Sequence, residues 1–387
     1  MSRPVPWLWL IAGPAVLLAL SSLRGERRRA MYVKARLAQT PAALPPATVI
    51  VPVKGEDEGL RENLAALAAL DYPDYELIVA AQRAADIPPG VLPPRVKVVL
   101  VHGGGEASEK VENLNAAVRA ARHISAVCAF ADSDVRVTPG WLRALVAPLD
   151  EPGVGASTGF RFFLPQPAGL WSLLRAVWDA VSLGVLGPGD NPFAWGGSMA
   201  IRKNALLDLD VLDAWKTALS DDYSLSDAVH RAGLRIAFAP GALAPSPERI
   251  TARRFFAWSR RQLLITRVHR PGLWRAALAA HVLYCAGMAA AVAAWFHGSG
   301  SAPWLLAAQV VPGMTKGLGR ARLARAALPL YASWFRRWGW VHTLLVPAAT
   351  WLWLIALVSS AFGDSIEWRG RSYPLRGRSA GQSPTAP

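Results

Sequence analysis

Three long stretches of this chain carry no Asp, Glu, Lys or Arg: residues 4–23, 276–315 and 338–363. A helix needs about 20 residues to cross the roughly 30 Å hydrocarbon core of a bilayer, so each stretch is long enough to span a membrane. The Gly- and Ser-rich break at 297–303 divides the second stretch into two predicted spans. Because 52% of all residues are hydrophobic, we predict a membrane protein rather than an ordinary soluble one.

The net charge of +15 is compatible with either a nucleic acid or a membrane surface as partner. The 17 tryptophans and the uncharged runs favour the membrane, so no nucleic-acid partner is predicted. Cys128 and Cys285 lie alone in different contexts, which implies no disulfide or metal framework. The core is therefore expected to be reduced and cytosolic.

The beginning of the chain indicates an orientation. Residues 1–23 are predicted to form an N-terminal transmembrane anchor, and 24–46 a basic juxtamembrane linker that is rich in arginine near the anchor. The positive-inside rule then places the start outside and residue 24 onward in the cytosol. A cleavable signal peptide is the alternative, but its charge order is the reverse of the one observed here.

The end of the chain conflicts with the same rule. Residues 273–363 are predicted to form C-terminal transmembrane or interfacial helices, and 364–387 a basic tail. Counting crossings places this tail outside, where the rule disfavours it. Two alternatives follow: the third or fourth span is re-entrant or broken, for example at Pro347, or the tail is an exception to the rule.

Strands alternate with helices in the first half of the region 47–272. The predicted strands are 47–53, 75–81, 96–101 and 125–131, and the predicted helices are 60–70 and 110–121. This alternation predicts an α/β fold with a parallel, doubly wound sheet. Residues 168–186 carry tryptophans seven apart, which is typical of a helix lying in the membrane interface or of a buried core helix. Both alternatives are kept.

Two carboxylates follow directly on the buried strand 125–131, in the turn Asp132-Ser133-Asp134. In open α/β sheets ligands bind at the carboxyl ends of the strands. Two aspartates with one residue between them can hold a hard divalent cation together with its phosphates. A solvated acidic turn is the simpler alternative for an isolated Asp-x-Asp.

Three further motifs come later in the chain. Trp195-Gly-Gly-Ser-Met199 is a small-residue loop that leads into a short strand, and its glycines allow a close approach of the backbone. Ser220 is a predicted cap for a helix that opens with Asp221-Asp222 and runs to Arg231. The basic aromatic segment 253–270 offers cations for a diphosphate or for anionic lipid heads.

This order of motifs resembles the ceramide glucosyltransferase family, which belongs to the inverting, metal-dependent nucleotide-sugar glycosyltransferases. The matching segments occur in family order over about residues 47–372: Pro52-Val-Lys-Gly55, Asn63-Leu64, Asp71-Tyr-Pro-Asp-Tyr-Glu76, Lys110-Val-Glu-Asn-Leu114, Asp132-Ser-Asp-Val-Arg-Val137, Gly197-Ser-Met199, Asp221-Asp-Tyr223 and Trp368-Arg-Gly-Arg371. The resemblance implies a glycosyltransferase-A-type α/β domain over 47–272, flanked by N-terminal and C-terminal transmembrane helices.

The resemblance also implies roles for individual residues. Asp222 would be the general base, with Asp221 beside it in the catalytic pair, and Asp132 with Asp134 would hold Mg²⁺ or Mn²⁺ on the diphosphate of a UDP-sugar. The acceptor would lie against Trp195, Gly196, Gly197 and Ser198. The donor-binding residues implied are Val51, Pro52, Lys54, Asp86, Lys110, Asn113, Ser133, Arg260, Arg261 and Gln262.

The chain departs from the family pattern at two places. The family's first aspartate is expected just after Gln82, where the chain reads Arg-Ala-Ala-Asp86, so this contact is either Asp86 or missing. The family's later signature is Gln or Arg, two residues, then Arg-Trp, but the chain has Arg261-Gln262. These departures suggest a subfamily with another sugar or acceptor, such as a hopanoid or other polycyclic lipid in place of ceramide.

The leading hypothesis is a membrane enzyme that moves one sugar from a UDP donor to a lipid hydroxyl. Because lysine supplies only seven of the 42 basic residues, we predict a high-GC bacterial source. The predicted location is the inner membrane, with the catalytic domain facing the cytoplasm. Alternatives are a processive polysaccharide synthase, for which the spans are few, and a catalytically silent nucleotide-sugar-binding scaffold.

Overall fold

The computed structural model describes residues 6–41, 43–363, 365–368 and 371–374. The strands of the central sheet are β1 (Ala47–Pro52), β2 (Tyr75–Ala81), β3 (Lys97–Leu100), β4 (Val127–Ala131), β5 (Val154–Phe163), β6 (Ser198–Arg202) and β7 (Arg235–Ser246). A separate hairpin consists of β8 (Ser365–Trp368) and β9 (Arg371–Pro374).

The helices within the described residues are α1 (Pro6–Ser21), α2 (Glu26–Ala38), α3 (Leu60–Ala68), α4 (Glu109–Ala120), α5 (Trp141–Val146), α6 (Leu170–Asp179), α7 (Lys203–Asp208), α8 (Val211–Ala214), α9 (Asp221–Arg231), α10 (Ala252–His269), α11 (Pro271–Phe296), α12 (Ala302–Ala327), α13 (Ala332–Trp338), α14 (Val341–Leu344) and α15 (Val346–Ser360). Short 3₁₀ turns cover Ala84–Asp86, Ala147–Asp150, Ser182–Val185 and Pro329–Tyr331.

The seven strands lie in the order β3-β2-β1-β4-β6-β5-β7. β1, β2, β3 and β4 are parallel, as predicted, whereas β6 is antiparallel to both of its neighbours. The α/β class is confirmed, with one reversed strand that the alternation of elements did not indicate. Because β6 enters the sheet from the edge where the parallel strands end, its first residue, Ser198, pairs with Ala131 at the end of β4.

Helices cover both faces of the sheet, as the doubly wound prediction requires. On one face α3 and α5 bury apolar side chains that include Leu60, Leu64, Leu67, Trp141, Leu142 and Leu145. On the other face α4 and α9 bury a set that includes Val111, Leu114, Val118, Leu225 and Val229. On α3, α4 and α9 these side chains recur every three or four residues, which is the period of one helix face.

The predicted linker 24–46 is a packed helix over most of its length. Within α2, the Arg29 guanidinium donates to the carbonyl of Leu186 at 3.0 Å, and the Tyr32 hydroxyl donates to the carbonyl of Phe238 at 2.6 Å. Arg36 forms an ion pair with Glu151. These bonds join α2 to the catalytic domain, so the anchor and this domain are connected by a rigid element.

By length and composition, two segments of the described chain suit a membrane crossing, namely Leu8–Ala38 and α11. α1, α11 and α12 pack on one another through small side chains such as Ala12, Ala291 and Ala294, which are fully buried. Small residues let helix backbones approach closely, as is usual between membrane helices. The turn between α11 and α12 falls at 297–301, within the break predicted from the sequence.

The described part of the basic tail lies on the catalytic domain. In the β8–β9 hairpin, Ile366 and Tyr373 are buried against Leu219 and Leu264. α15, which precedes the hairpin, packs on α10 and α6 as well as on α11. This arrangement supports the alternative in which the segment containing α15 returns to the catalytic side without a full crossing; residues 375–387 lie outside the described residues.

The helix predicted within 168–186 is buried rather than free to lie in a lipid interface. The side chains from Ser172 to Asp179 on α6 are all buried, and α6 packs against β5 and α15. Trp178 stacks on Trp353 of α15 with ring centroids 4.2 Å apart. Of the two alternatives kept for this segment, the structure therefore supports the core helix.

Candidate active site

A cavity of about 670 Å³ opens at the sheet edge where β1 and β4 end and β6 begins. Most of the predicted site residues line it: Pro52, Lys54, Asp86, Lys110, Asn113, Asp132, Ser133, Asp134, Trp195, Asp221, Asp222, Arg261 and Gln262. Five predicted residues do not line it: Val51, Arg260, Gly196, Gly197 and Ser198. The motifs that are far apart in sequence therefore meet in one place.

Val51 and Arg260 were predicted as donor contacts, but both point elsewhere. Val51 is fully buried in the core together with Ala47 and Val49, which lie on the same face of β1. Val53 lies on the cavity wall in its place. The Arg260 guanidinium donates to the carbonyls of Ser359 at 3.2 Å and Phe362 at 2.7 Å, so it contacts the end of α15 and the residues after it and does not line the cavity.

The small residues of the 195–198 loop, Gly196, Gly197 and Ser198, pack behind the residues that line the cavity. Ser198 is fully buried, accepts a hydrogen bond from the Trp141 indole at 2.8 Å and donates to the carbonyl of Ala242 at 2.9 Å. The Gly196 amide donates to Asp222 Oδ2 at 3.3 Å. A Cβ added at Gly197 would lie 2.7 Å from Asp132 Oδ2, so this loop lies against the carboxylates because it lacks side chains.

Gly196→Ala is expected to lower activity by between about fivefold and a hundredfold. The added Cβ would lie 2.4 Å from Asp221 Oδ2 and 3.0 Å from Lys110 Nζ, and overpacking of this kind costs about 1–3 kcal/mol, of which 1.4 corresponds to a tenfold rate change. Gly140→Ala is the matched control, since its Cβ would meet nothing within 4 Å and its φ is −84°. Turnover of both variants checks the expectation, and equal activities would contradict it.

Lys110 joins two of the predicted acids. It lies in the first turn of α4, and its Nζ is 2.8 Å from Asp132 Oδ1 and 3.1 Å from Asp221 Oδ1. Burial alone would lower the pKa of Lys110, but the facing carboxylates raise it above its ordinary value. Burial raises the pKa of Asp221 to about 6 against the opposing effect of Lys110. Asp221 Oδ2 is buried without a hydrogen-bond partner among the described residues.

Arg161 was missed by the sequence analysis. It lies on β5, and its guanidinium is 2.8 Å from Asp134 Oδ1 and 3.7 Å from Asp132 Oδ2. Burial raises the pKa of Asp134 to about 6; Arg161 opposes this shift and Asp132 adds to it. The signal for Arg161 is its position as a lone charge between Phe160 and Phe162 in an apolar strand, because an arginine is rarely buried unless it is paired.

Asp222 is held differently from Asp221. Its Oδ1 accepts hydrogen bonds from the Ser220 hydroxyl and, at 2.8 Å, from the Tyr223 amide. Ser220 also caps α9, as predicted, by accepting from the same amide at 3.4 Å. These donors fix the carboxylate at the start of a helix and at the wall of the cavity, where it is able to accept a proton from a bound molecule.

The carboxylate pair suits a hard divalent cation. Asp132 and Asp134 both line the cavity, and burial raises the pKa of Asp134 against the opposing effect of Arg161. Among the described residues, no group of three His, Cys, Asp or Glu could enclose a metal ion. Mg²⁺ and similar ions are often held by one or two carboxylates, with substrate phosphates and water completing the shell.

Two residues at the departures from the family pattern also line the cavity. Asp86 pairs with Arg83 at 2.9 Å, and the Arg83 side chain lowers the pKa of Asp86. Gln262 lies on the wall beside Arg261, in the position of the family's tryptophan. The chain therefore places a carboxylate and an amide at this wall, although the spacing differs from the family pattern.

The cavity continues from its charged end into an apolar arm. The arm is bordered by Trp178 of α6, by Val181 and Val185 beyond it, by Leu273, Trp274 and Ala277 of α11, and by Trp353 of α15. α11 is one of the segments suited to cross a membrane. One cavity thus joins a cluster of ionised groups to an apolar passage beside a membrane-type helix.

The sequence profile described as Glycosyl transferase family 21 matches residues 8–380. The chain belongs to glycosyltransferase family 21. This confirms the resemblance to the ceramide glucosyltransferase family that was predicted from the motifs. The cavity described above is accordingly the candidate active site of a family 21 glycosyltransferase.

Solved structures similar to this family 21 chain include two glycosyltransferases. A mannosyltransferase from Pyrobaculum calidifontis, in complex with GDP-mannose and Mn²⁺, is 19% identical with a TM-score of 0.46, and the match covers 92% of this chain and 97% of that chain. Glucosyl-3-phosphoglycerate synthase from Mycobacterium tuberculosis, with Mn²⁺ and UDP, is 19% identical with a TM-score of 0.37 and covers 62% and 82%.

Proposed function

We propose that this family 21 glycosyltransferase transfers a single hexose from a UDP-sugar to a lipid hydroxyl, with inversion and with Mg²⁺ or Mn²⁺ as cofactor. The observation that carries the proposal is the single cavity with a charged end and an apolar arm. A nucleotide-sugar diphosphate suits the charged end, and a lipid that stays in the bilayer suits the arm beside α11. Ceramide-like and hopanoid-like lipids both meet this description.

The charged end contains groups for each part of a single displacement. Asp132 and Asp134 would hold the cation, which supplies charge stabilisation for the departing UDP when it is bound. Lys110 and Arg161 keep these carboxylates in place through their ion pairs. Asp222 would take the proton of the acceptor hydroxyl, so that this oxygen attacks the anomeric carbon on the face opposite to UDP.

Two other functions are tested by the same experiment. A silent scaffold would bind UDP-sugar without turnover, and a processive synthase would make a polymer. The test is donor turnover by detergent-purified protein with Mn²⁺, using UDP-glucose, UDP-galactose and UDP-N-acetylglucosamine with a total lipid extract. A new glycolipid bearing one sugar supports the proposal; UDP-sugar binding with no product supports the scaffold.

We further propose a location in a bacterial inner membrane, with the catalytic domain in the cytoplasm. In this topology α1 crosses once and α11 with α12 cross out and back, so the turn 297–301 lies outside and the β8–β9 hairpin inside. His297→Cys and Ser372→Cys each replace an exposed residue, while Cys128 and Cys285 are buried. In intact cells, a membrane-impermeant thiol reagent is expected to label His297→Cys and not Ser372→Cys. The reverse pattern would contradict the proposed orientation.

A further inference from the structure

A basic cluster lies where α12 packs on α1 and α2. Its cations are Arg29 of α2 and Lys316 and Arg320 of α12, and none of the three lines the candidate active site. Lys316 and Arg320 are four residues apart, which places them on one face of their helix. The charges of Arg29 and Arg320 both act on Lys316. The three side chains therefore form one cluster, although Arg29 is far from the others in sequence.

Arg320 is buried without the partners that a buried arginine normally has. It is 7% exposed, and its Nε atom is sealed from solvent with no hydrogen-bond partner in the described part of the chain. The two terminal nitrogens also find no partner there, but unlike Nε they keep accessible surface. Because an unsatisfied charged group is unfavourable, Arg320 indicates an anion that the fold itself does not supply.

The charges of the cluster do not balance. Among the described residues, Glu26 is the carboxylate whose charge acts on Lys316 and Arg320, and it is already paired with Arg29. Three cations thus face one acid, which leaves a net charge of +2. Lys316 donates to the Ser22 hydroxyl at 2.7 Å, and an ammonium group has three donors. Both charge and hydrogen-bond donors are therefore left for a ligand.

The cluster lies at the boundary of the segments that suit a membrane. α1 ends at Ser21, and Lys316 is the first charged residue after the uncharged stretch 276–315. Basic pockets between membrane helices bind the headgroups of anionic lipids at this level. A guanidinium matches a phosphate through two parallel hydrogen bonds, and an ammonium group adds a point charge. The position and the donors both suit a lipid phosphate.

We propose that Arg320 and Lys316, together with Arg29, bind the phosphate of an anionic lipid headgroup. Arg322 and Arg325 of the same helix are exposed, so they provide only general attraction to a negative surface. The buried Arg320, in contrast, selects one bound molecule. A free phosphate ion has the same chemistry, but the membrane boundary favours the lipid. This inference is independent of the proposed sugar transfer, because the cluster is outside the cavity.

The test measures the Tm of the full-length protein in detergent micelles that contain increasing amounts of phosphatidylglycerol or of phosphatidylcholine with the same acyl chains. Phosphatidylglycerol should raise the Tm of the native protein in a saturable way, because a ligand stabilises only the state that binds it. Phosphatidylcholine, whose headgroup has no net charge, should raise it much less. Lys316→Gln should need about 10–100-fold more phosphatidylglycerol for half of the rise, the range for one lost hydrogen bond to a charged group. Arg322→Gln is the matched control and should behave as the native protein does.

Arg320→Met distinguishes ligand binding from a structural role. It replaces the unsatisfied guanidinium by an apolar side chain of similar length, so in phosphatidylcholine its Tm should equal or exceed the native value. Phosphatidylglycerol should no longer raise the Tm of this variant. A Tm that is lowered equally in both lipids would show that Arg320 only supports the fold, and it would overturn the proposal. If Arg320→Met does not fold, the half-saturation of Lys316→Gln decides.

Inorganic phosphate is the third probe and identifies the source of the anion. No rise in Tm with inorganic phosphate supports the lipid, whereas a rise equal to that with phosphatidylglycerol would retain the phosphate site and reject the lipid as its source. Equal rises with the two phospholipids would overturn the proposal. An unchanged half-saturation in Lys316→Gln would do the same, because the cluster would then take no part in binding.

Discussion

Asp222→Asn is expected to lower sugar transfer by about 10²–10⁴-fold, the range that a general base contributes, while UDP-sugar binding stays nearly unchanged. The amide has the shape of the carboxylate and keeps an oxygen for the Ser220 hydroxyl and the Tyr223 amide. It cannot take up the acceptor proton, however. The bond from the Gly196 amide, at 3.3 Å, is the one contact that the substitution removes directly.

The test measures kcat, which should fall, and separately the dissociation constant of UDP, which should stay nearly unchanged. Asp227→Asn is the matched control: Asp227 lies on the same helix, pairs with Arg270 and is outside the cavity wall. It should keep turnover close to that of the native enzyme. Full activity of Asp222→Asn would exclude this residue as the base, and a parallel loss of UDP binding would indicate a structural role instead.

The charged end of the site was predictable because its residues follow simple local rules. Asp132 and Asp134 come directly after a buried parallel strand, and the carboxyl ends of such strands share one edge. Lys110 and Asp222 lie in the first turns of helices that begin at that edge. Each motif is continuous in sequence, and the family resemblance was what assigned Lys110 and Asp222 to the same site as Asp132 and Asp134.

Other residues depend on contacts that no local pattern specifies. Arg161 reaches Asp134 because β5 lies beside β6, and β6 is reversed. Trp178 meets Trp353 at the cavity wall because α6 packs on α15, far along the chain. Val51 was predicted to border the donor, but it packs in the core, and Val53, two residues later on the same face, is the valine that reaches the cavity. The location of the described tail likewise follows from burial of Ile366 and Tyr373, which charge counting does not reveal.

Asp134→Asn is expected to abolish measurable turnover and to weaken Mn²⁺-dependent UDP binding. The loss should be at least the roughly 10–100-fold that removal of an outer-shell partner costs at a metal site, because Asp134 is a proposed direct ligand. The substitution also leaves the Arg161 guanidinium facing an uncharged amide in place of its partner at 2.8 Å. The site then has one negative charge fewer, while Lys110 and Arg161 keep their positive charges. This change in net charge opposes binding of Mn²⁺.

The matched control is Asp74→Asn, which removes a carboxylate from a partly buried ion pair with Arg122, and neither residue lines the cavity. Calorimetric titration of UDP with and without Mn²⁺ measures the effect. Asp74→Asn should bind as the native protein does, and Asp134→Asn should show little difference between the two titrations. Native-like Mn²⁺ dependence in Asp134→Asn would remove this residue from the metal site.

The pH dependence of the same binding provides a second, independent test of Asp134. Its pKa in the folded protein is about 6, raised from 3.8 chiefly by burial, so without cation the carboxyl gains a proton as the pH falls through 6. A cation must displace that proton, and Mn²⁺ affinity should therefore fall about tenfold for each unit below pH 6 and level off above pH 7.

The increase in Tm caused by Mn²⁺ should follow the same curve, because a ligand stabilises only the state that binds it. In Asp134→Asn the increase in Tm caused by Mn²⁺ should be small at every pH. An increase that keeps the native pH profile would assign the titration to another carboxylate. Asp221, whose pKa is also about 6, is such a group.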